Sequence, residues 1–268
     1  MSNKNQFRSM FTGFAAIAIP VIFVVCILLY KFVLGNPANF EGGNTANHPL
    51  PGNILGIVFK GGTIVPILMT LLLMVLTFSI ERYITITKAK GKGRVNSFVA
   101  RVHMDLSSKN LENAMNECDK QRGSVANVIK AGLIKYKEMI TEKGLNRDQK
   151  VIAIKQEIEE ATSLELPMLE QNLVIIATIA SIATLMGLLG TVIGMIKAFS
   201  ALATAGAPDA VQLANGISEA LINTALGIGT SALAIIFYNY FTTKIDKLTY
   251  SIDEAGVAIV QNFAANYN

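Results

Sequence analysis

The chain has 268 residues, 51% of them hydrophobic and only 16% charged, against roughly 25% charged in ordinary soluble domains. That composition, with a mean hydropathy of +0.45, excludes a typical soluble domain. The net charge of +4 is gathered in one stretch between apolar runs, not beside aromatic or Gly-rich loops, which excludes a nucleic-acid binder and reads as membrane topology.

A helix crossing the hydrocarbon core needs about 20 mostly apolar residues. Four runs meet that length: 9–30, 61–80, 171–196 with a continuation past Lys197, and 220–243. The fold class is therefore all-α membrane protein. The first run, with Lys4 and Arg8 before it, also fits a secretory signal peptide. It is long for one, and Lys31 follows without a small-x-small cleavage site, so a retained anchor helix over 1–35 is the reading adopted. Pro20 and Pro66 fall in membrane helices, where they are tolerated.

Residues 36–60 are rich in Gly, Asn and Pro and predict an outward-facing loop, with His48 beside Pro49 as an ordinary loop residue. The second crossing covers 61–86. The segment 87–170 then carries fifteen of the chain's 23 Lys and Arg, which by the positive-inside bias makes it cytoplasmic. Both termini then lie on the same side, provided the first helix is retained. The basic turn 88–94 lies at the membrane surface, within reach of anionic lipid headgroups.

Within the cytoplasmic segment, Ser108 is placed to cap a helix through Ala114 and Cys118, which Gly123 ends. Ser124 opens another, ended by Gly144. An amphipathic stretch from Arg147 to Glu170 flows without a Gly into the third apolar run. It predicts one helix over about 148–202, ~80 Å long at 1.5 Å per residue, bent near Pro167. Glu157, Glu159, Glu160 and Glu165 read as a solvated or intersubunit-paired face. Cys26 and Cys118 fall in different compartments, so no disulfide is expected. Cofactors, metals and catalytic residues: none is expected, for no metal-ligand spacing, P-loop or triad constellation is present.

The hairpin 171–243 holds the polar residues that matter, and 244–268 is read as a cytoplasmic tail. The third run reads Met186-Gly-Leu-Leu-Gly-Thr-Val-Ile-Gly-Met195. Gly187, Gly190 and Gly194 are small positions that let helix backbones approach closely. The fourth reads Ile217-Ser-Glu-Ala-Leu-Ile-Asn-Thr-Ala-Leu-Gly227 and sets Glu219, Asn223 and Thr224 in an apolar helix, with Gly227 as a further packing position. An ionisable residue at membrane depth faces protein or water and is a functional candidate. Glu219 reads equally as an interface anchor near the outer end. The loose glycine pattern from Gly227 to Ala232 is not a dinucleotide site, because the strand it requires is missing.

Counting outward from the loop around Pro208 puts Lys197 and Glu219 at similar depth, with Asn223 as a further polar neighbour. The same count puts Thr191 opposite Thr224 or Ala225. A Lys–Glu contact would offset much of the desolvation of both charges. Facing hydroxyls both donate and accept, and so can line a hydrated path. Bonding of each hydroxyl to its own helix backbone is the alternative.

These two passages, in this order and with this loop between them, resemble the second and third membrane helices of the MotA/TolQ/ExbB proton channel family. Glu81-Arg82 resembles the inner end of its first helix, so the resemblance covers roughly 61–246. It implies a ring-forming homo-oligomer, a pentamer around an ExbD-like single-helix subunit, in the bacterial inner membrane. It implies proton flow coupled to a TonB-like protein and outer-membrane transport, with no enzyme activity. A TolQ-type subunit supporting outer-membrane integrity, a MotA-type stator and a non-conducting assembly scaffold are the alternatives. By motif match, Thr191, Thr224 and Glu219 take the pore-lining and proton-path roles. Two features depart from the family: the helix in 1–35 and the charge on Lys197. If Lys197 pairs with Glu219, Glu219 is held as a carboxylate and is not the titrating shuttle.

Overall fold

Helix dominates because the apolar runs cannot leave backbone groups unpaired in lipid, and a helix pairs them all internally. The structure, a computed structural model, describes residues 2–203 and 210–267, with side chains from Phe14 onward. The loop placed around Pro208 lies outside the described residues. The described part is all-α: α1 (Ser2–Leu28), α2 (Ile54–Phe59), α3 (Val65–Lys90), α4 (Val95–Ser107), α5 (Leu111–Gln121), α6 (Gly123–Thr141), α7 (Arg147–Glu170), α8 (Leu173–Ala203) and α9 (Ala210–Asn266). A single bridge between Phe40 and Pro49 is its only β pairing. Four helical stretches are long and apolar enough to cross a membrane: Phe14–Leu34, Gly62–Ser107, Arg147–Ala203 and Ala210–Asn266. This is an all-α membrane protein.

The chain divides into two compact units. The first comprises Met1–Ser79 and Val174–Tyr238, the second Ile80–Leu173 and Asn239–Asn268.

In the first unit, α1 ends in a π-helical turn, Leu29–Leu34. The segment after it, expected as an outward-facing loop, is more ordered than its Gly/Asn/Pro content predicts. Buried Asn39 donates to the carbonyls of Val33 and Leu34 at 2.8 and 2.9 Å. Asn53 caps α2 by accepting from the amide of Gly56. Pro66 is the second residue of α3, where its missing N–H breaks no helical bond.

In the second unit, α4 to α7 pack with the end of α9. Phe98, Ile129, Leu133, Ile154, Ile252, Ile259 and Phe263 are fully buried. Residues 244–266, within the tail expected over 244–268, continue α9, with Ile245, Leu248, Ile252, Ala255, Ile259 and Phe263 buried at helical spacing. Tyr136 of α6 donates to Asn262 at 2.8 Å.

Three local expectations change. The helix expected over 148–202 is broken at Gln171–Asn172, not bent at Pro167: Asn172 takes φ +66°, and α7 and α8 are separate helices. Asn tolerates that left-handed conformation better than most residues, and Asn172 is held there by donating to Glu81 at 3.2 Å. The cap of α5 is Asn110, which accepts from the amide of Asn113, not Ser108. Glu165 is buried and accepts from Asn127 at 3.1 Å, whereas Glu159 and Glu160 are exposed. At the start of α7, Asn146 and Gln149 form a reciprocal capping box that satisfies two otherwise unpaired amides.

Candidate functional site

The site is built on the seam between α8 and α9 in the first unit. The seam is tight because small residues fall at i, i+3, i+4 and i+7 on both helices. A Cβ on Gly187 would lie 2.9 Å from the carbonyl oxygen of Asn223, and one on Gly194 2.6 Å from the amide of Ala220. On α9, a Cβ on Gly227 would lie 2.6 Å from the carbonyl of Ala183. Real Cβ atoms do not come this close to backbone, so the two antiparallel helices touch main chain to main chain. Gly190 leaves the space that the Asn223 side chain fills. Deeper along the same seam, Ser231 donates to the carbonyl of Ala180 at 2.5 Å.

This close approach brings the polar residues together in two layers. In one, Lys197 Nζ lies 2.6 and 2.8 Å from the two carboxylate oxygens of Glu219. Glu219 is buried, its side chain 8% exposed, whereas that of Lys197 is 52% exposed. In the other layer the hydroxyls of Thr191 and Thr224 are in direct hydrogen-bond contact. Each also reaches its own helix: Thr224 Oγ1 donates to the carbonyl of Ala220 at 3.0 Å, and Thr191 Oγ1 lies 3.2 Å from that of Gly187. Contact across the seam and bonding to each helix's own backbone therefore coexist. With one proton each, Thr224 can donate to Ala220 while Thr191 donates to Thr224, leaving acceptor capacity on both oxygens. Thr191 also opens onto a groove along α8, lined with Val192, Met195, Ile196 and Phe199.

Asn223 lies between these layers in sequence and is completely buried. Its Nδ2 donates to the carbonyl of Gly61 at 2.8 Å. Its Oδ1 has no hydrogen-bond partner. Asn223 thus contacts the turn before α3 and not Lys197. The same turn meets Glu219: Gly62, at φ +75°, leaves no room for a Cβ against the carboxylate. Sequence reasoning missed this turn. Its signal was the Gly61–Gly62 pair directly before the second apolar run.

A second cluster, around the Glu81-Arg82 pair, lies in the other unit, and its contacts were not foreseen from the sequence. Arg82 is fully buried and is held by Glu81. Its Nη1 donates to the carbonyls of Met168 and Leu169 at 3.2 and 3.1 Å, at the C-terminal end of α7, where a cation is favoured. Thr85 and Asn172 donate to the carboxylate of Glu81.

A model of the MotA/TolQ/ExbB proton channel family matches residues 101–254. The Tol-Pal system protein TolQ of Pseudomonas aeruginosa is 32% identical over 124 residues, 46% of this chain and 54% of that protein. The putative biopolymer transport protein ExbB-like 3 of Synechocystis sp. is 37% identical over 86 residues, 31% of this chain and 41% of that protein. The biopolymer transport protein ExbB of Pseudomonas putida is 34% identical over 86 residues, 32% of this chain and 26% of that protein. These alignments span about half or less of each relative's length. The family match takes in the second half of α4, α5 to α8 and most of α9, more than half of the sequence, and the chain belongs to the MotA/TolQ/ExbB proton channel family.

Proposed function

We propose that this chain is the proton-channel subunit of an inner-membrane complex that converts the proton motive force into mechanical work, acting with an ExbD-like single-helix partner in a pentameric ring. The observation that carries this reading is the hydroxyl pair of Thr191 and Thr224, placed one layer below the Lys197–Glu219 pair on a hairpin of two membrane-length helices. Hydroxyls in contact, with spare acceptor capacity, can relay water or protons along an interface without a metal or cofactor. Residues 87–170 form the cytoplasmic part, and the helix within 1–35 stands outside the shared core.

The output we favour is ExbB-type, energising a TonB-like protein for outer-membrane transport. A TolQ-type output is the second reading, because the relatives of this chain carry both names. Copurification with the product of the adjacent gene tests both. A small single-helix partner next to a TonB-like gene supports the first, and a TolA-like neighbour the second. Counting subunits in the same preparation tests the ring. Proton uptake by liposomes holding chain and partner, against chain alone, separates a channel from a scaffold.

A further inference from the structure

The Glu219 carboxylate is not held by Lys197 alone. Behind it lies the Gly61–Gly62 turn, and that turn belongs to a continuous set of contacts running back to the end of α1. Tyr30, in the π-helical turn, stacks on Phe59 with ring centroids 4.7 Å apart and donates its hydroxyl to the Phe59 carbonyl at 3.1 Å. Phe59 also meets buried Phe40 edge-on at 5.4 Å. Next in the chain, Lys60 donates to the carbonyl of Ala46 at 3.0 Å and lies over the Phe40 ring. Gly61 and Gly62 follow directly, the first bonded to Asn223 and the second packed on Glu219.

Glu219 and Asn223 are four residues apart, so they project from one face of α9. Together they grip two consecutive residues of the turn. Asn223 does so from a buried position, its Nδ2 donating to Gly61 while its Oδ1 is left unpaired, so losing the Gly61 bond would strand a buried donor as well. A buried carboxylate whose position depends on packed neighbours moves when that packing moves.

We propose that the outward segment 30–62 is a strut that positions the Glu219–Lys197 pair, with Asn223 as its anchor on α9 and Phe59 as the joint that transmits the position of the first crossing. In this assignment Phe59, Tyr30 and Asn223 are positioning residues. Most of the segment lies before the family resemblance at 61–246, and all of it lies outside residues 101–254 that match the family model. Its bearing on proton flow rests on the channel reading given above, whereas its physical content can be tested apart from it.

The test is infrared spectroscopy of the full-length chain in lipid nanodiscs at pH 7. Loss of a band in Glu219→Gln assigns the Glu219 carboxylate stretch. Phe59→Ala, which removes the stacked ring, is expected to shift that band, and Phe59→Tyr, which keeps a ring, to restore it. Tyr30→Phe removes one hydroxyl and is the milder probe should Phe59→Ala fail to fold. Asn223→Ala is expected to shift the band in the same direction. In the reconstituted complex, Phe59→Ala is expected to lower proton flux per assembled ring by about two- to thirty-fold, the span of couplings carried through packed side chains. A Glu219 band unchanged in both Phe59→Ala and Tyr30→Phe overturns the strut. A shifted band in a complex whose flux is indifferent to Thr191→Val overturns the channel reading and leaves the strut standing.

Discussion

Lys197 and Glu219 meet across the α8–α9 seam, the ammonium nitrogen 2.6 and 2.8 Å from the two carboxylate oxygens. The two ends differ in setting: the carboxylate is buried and the lysine stem half-exposed. Removing the lysine therefore strands a buried charge, whereas removing the carboxylate frees a cation that can reach polar surroundings. Lys197→Met is expected to lower proton flux by about tenfold or more, since uncompensated buried charge is strongly destabilising. Glu219→Gln added to it is expected to recover part of the loss. Independent effects in a double-mutant cycle would show that the pair does not act as one.

The seam makes a sharper steric prediction. Gly194→Ala places a methyl 2.6 Å from the backbone of α9, whereas Gly229 has nothing within 4 Å. Overpacking of this kind costs about 1–3 kcal/mol. An exposed helix-interior glycine gains about 0.5–1 kcal/mol on becoming alanine. Thermal unfolding in detergent should fall for Gly194→Ala and hold or rise for Gly229→Ala.

Arg82 answers to the burial of its charge. Arg82→Met leaves Glu81 without its cation and two carbonyls at the end of α7 without their donor. Breaking a buried pair in this way costs about 3–5 kcal/mol, enough to deplete folded protein in membranes. The double change with Glu81→Gln should recover folded protein, as measured by fluorescence-detected size exclusion.

The sequence displays these features unevenly. The four apolar runs, the small residues of the seam and the depth of Lys197 against Glu219 follow from period and charge, because lipid leaves few alternatives. The break at Gln171–Asn172 carries no such mark. No glycine stands there, and the left-handed Asn172 is held by Glu81, far away in sequence. Glu81-Arg82 was marked only by the family resemblance, and the partners of Arg82 on α7 carried no sequence signal. The continuation of α9 was legible in the spacing of Ile245, Leu248, Ile252 and Ile259, but the charges of Lys244, Asp246 and Lys247 mask it.

In α5, Glu117 gives a pH prediction. Its carboxyl lies below the ordinary value of 4.5, held there first by the hydrogen bond from Lys120 and then by that from Arg101. A lowered carboxyl contributes stability that is fully present above the unfolded value and is lost as pH falls through the folded one. Both partners are substantially exposed, which limits the contribution to about 1 kcal/mol. Glu117→Gln should therefore lower thermal stability at pH 7 by a few degrees. The difference from the unsubstituted chain should shrink below about pH 4.5.

The most direct measurement is proton flux into liposomes holding the complete complex with Thr191→Val or Thr224→Val, each scaled to the amount of assembled ring. Valine keeps the shape and removes the hydroxyl, so either change is expected to cut flux by about tenfold or more, which corresponds to ~1.4 kcal/mol on the barrier, and serine at either position is expected to restore it. Undiminished flux in both valine variants would contradict the account, because the hydroxyl contact across the seam would then have no part in moving protons.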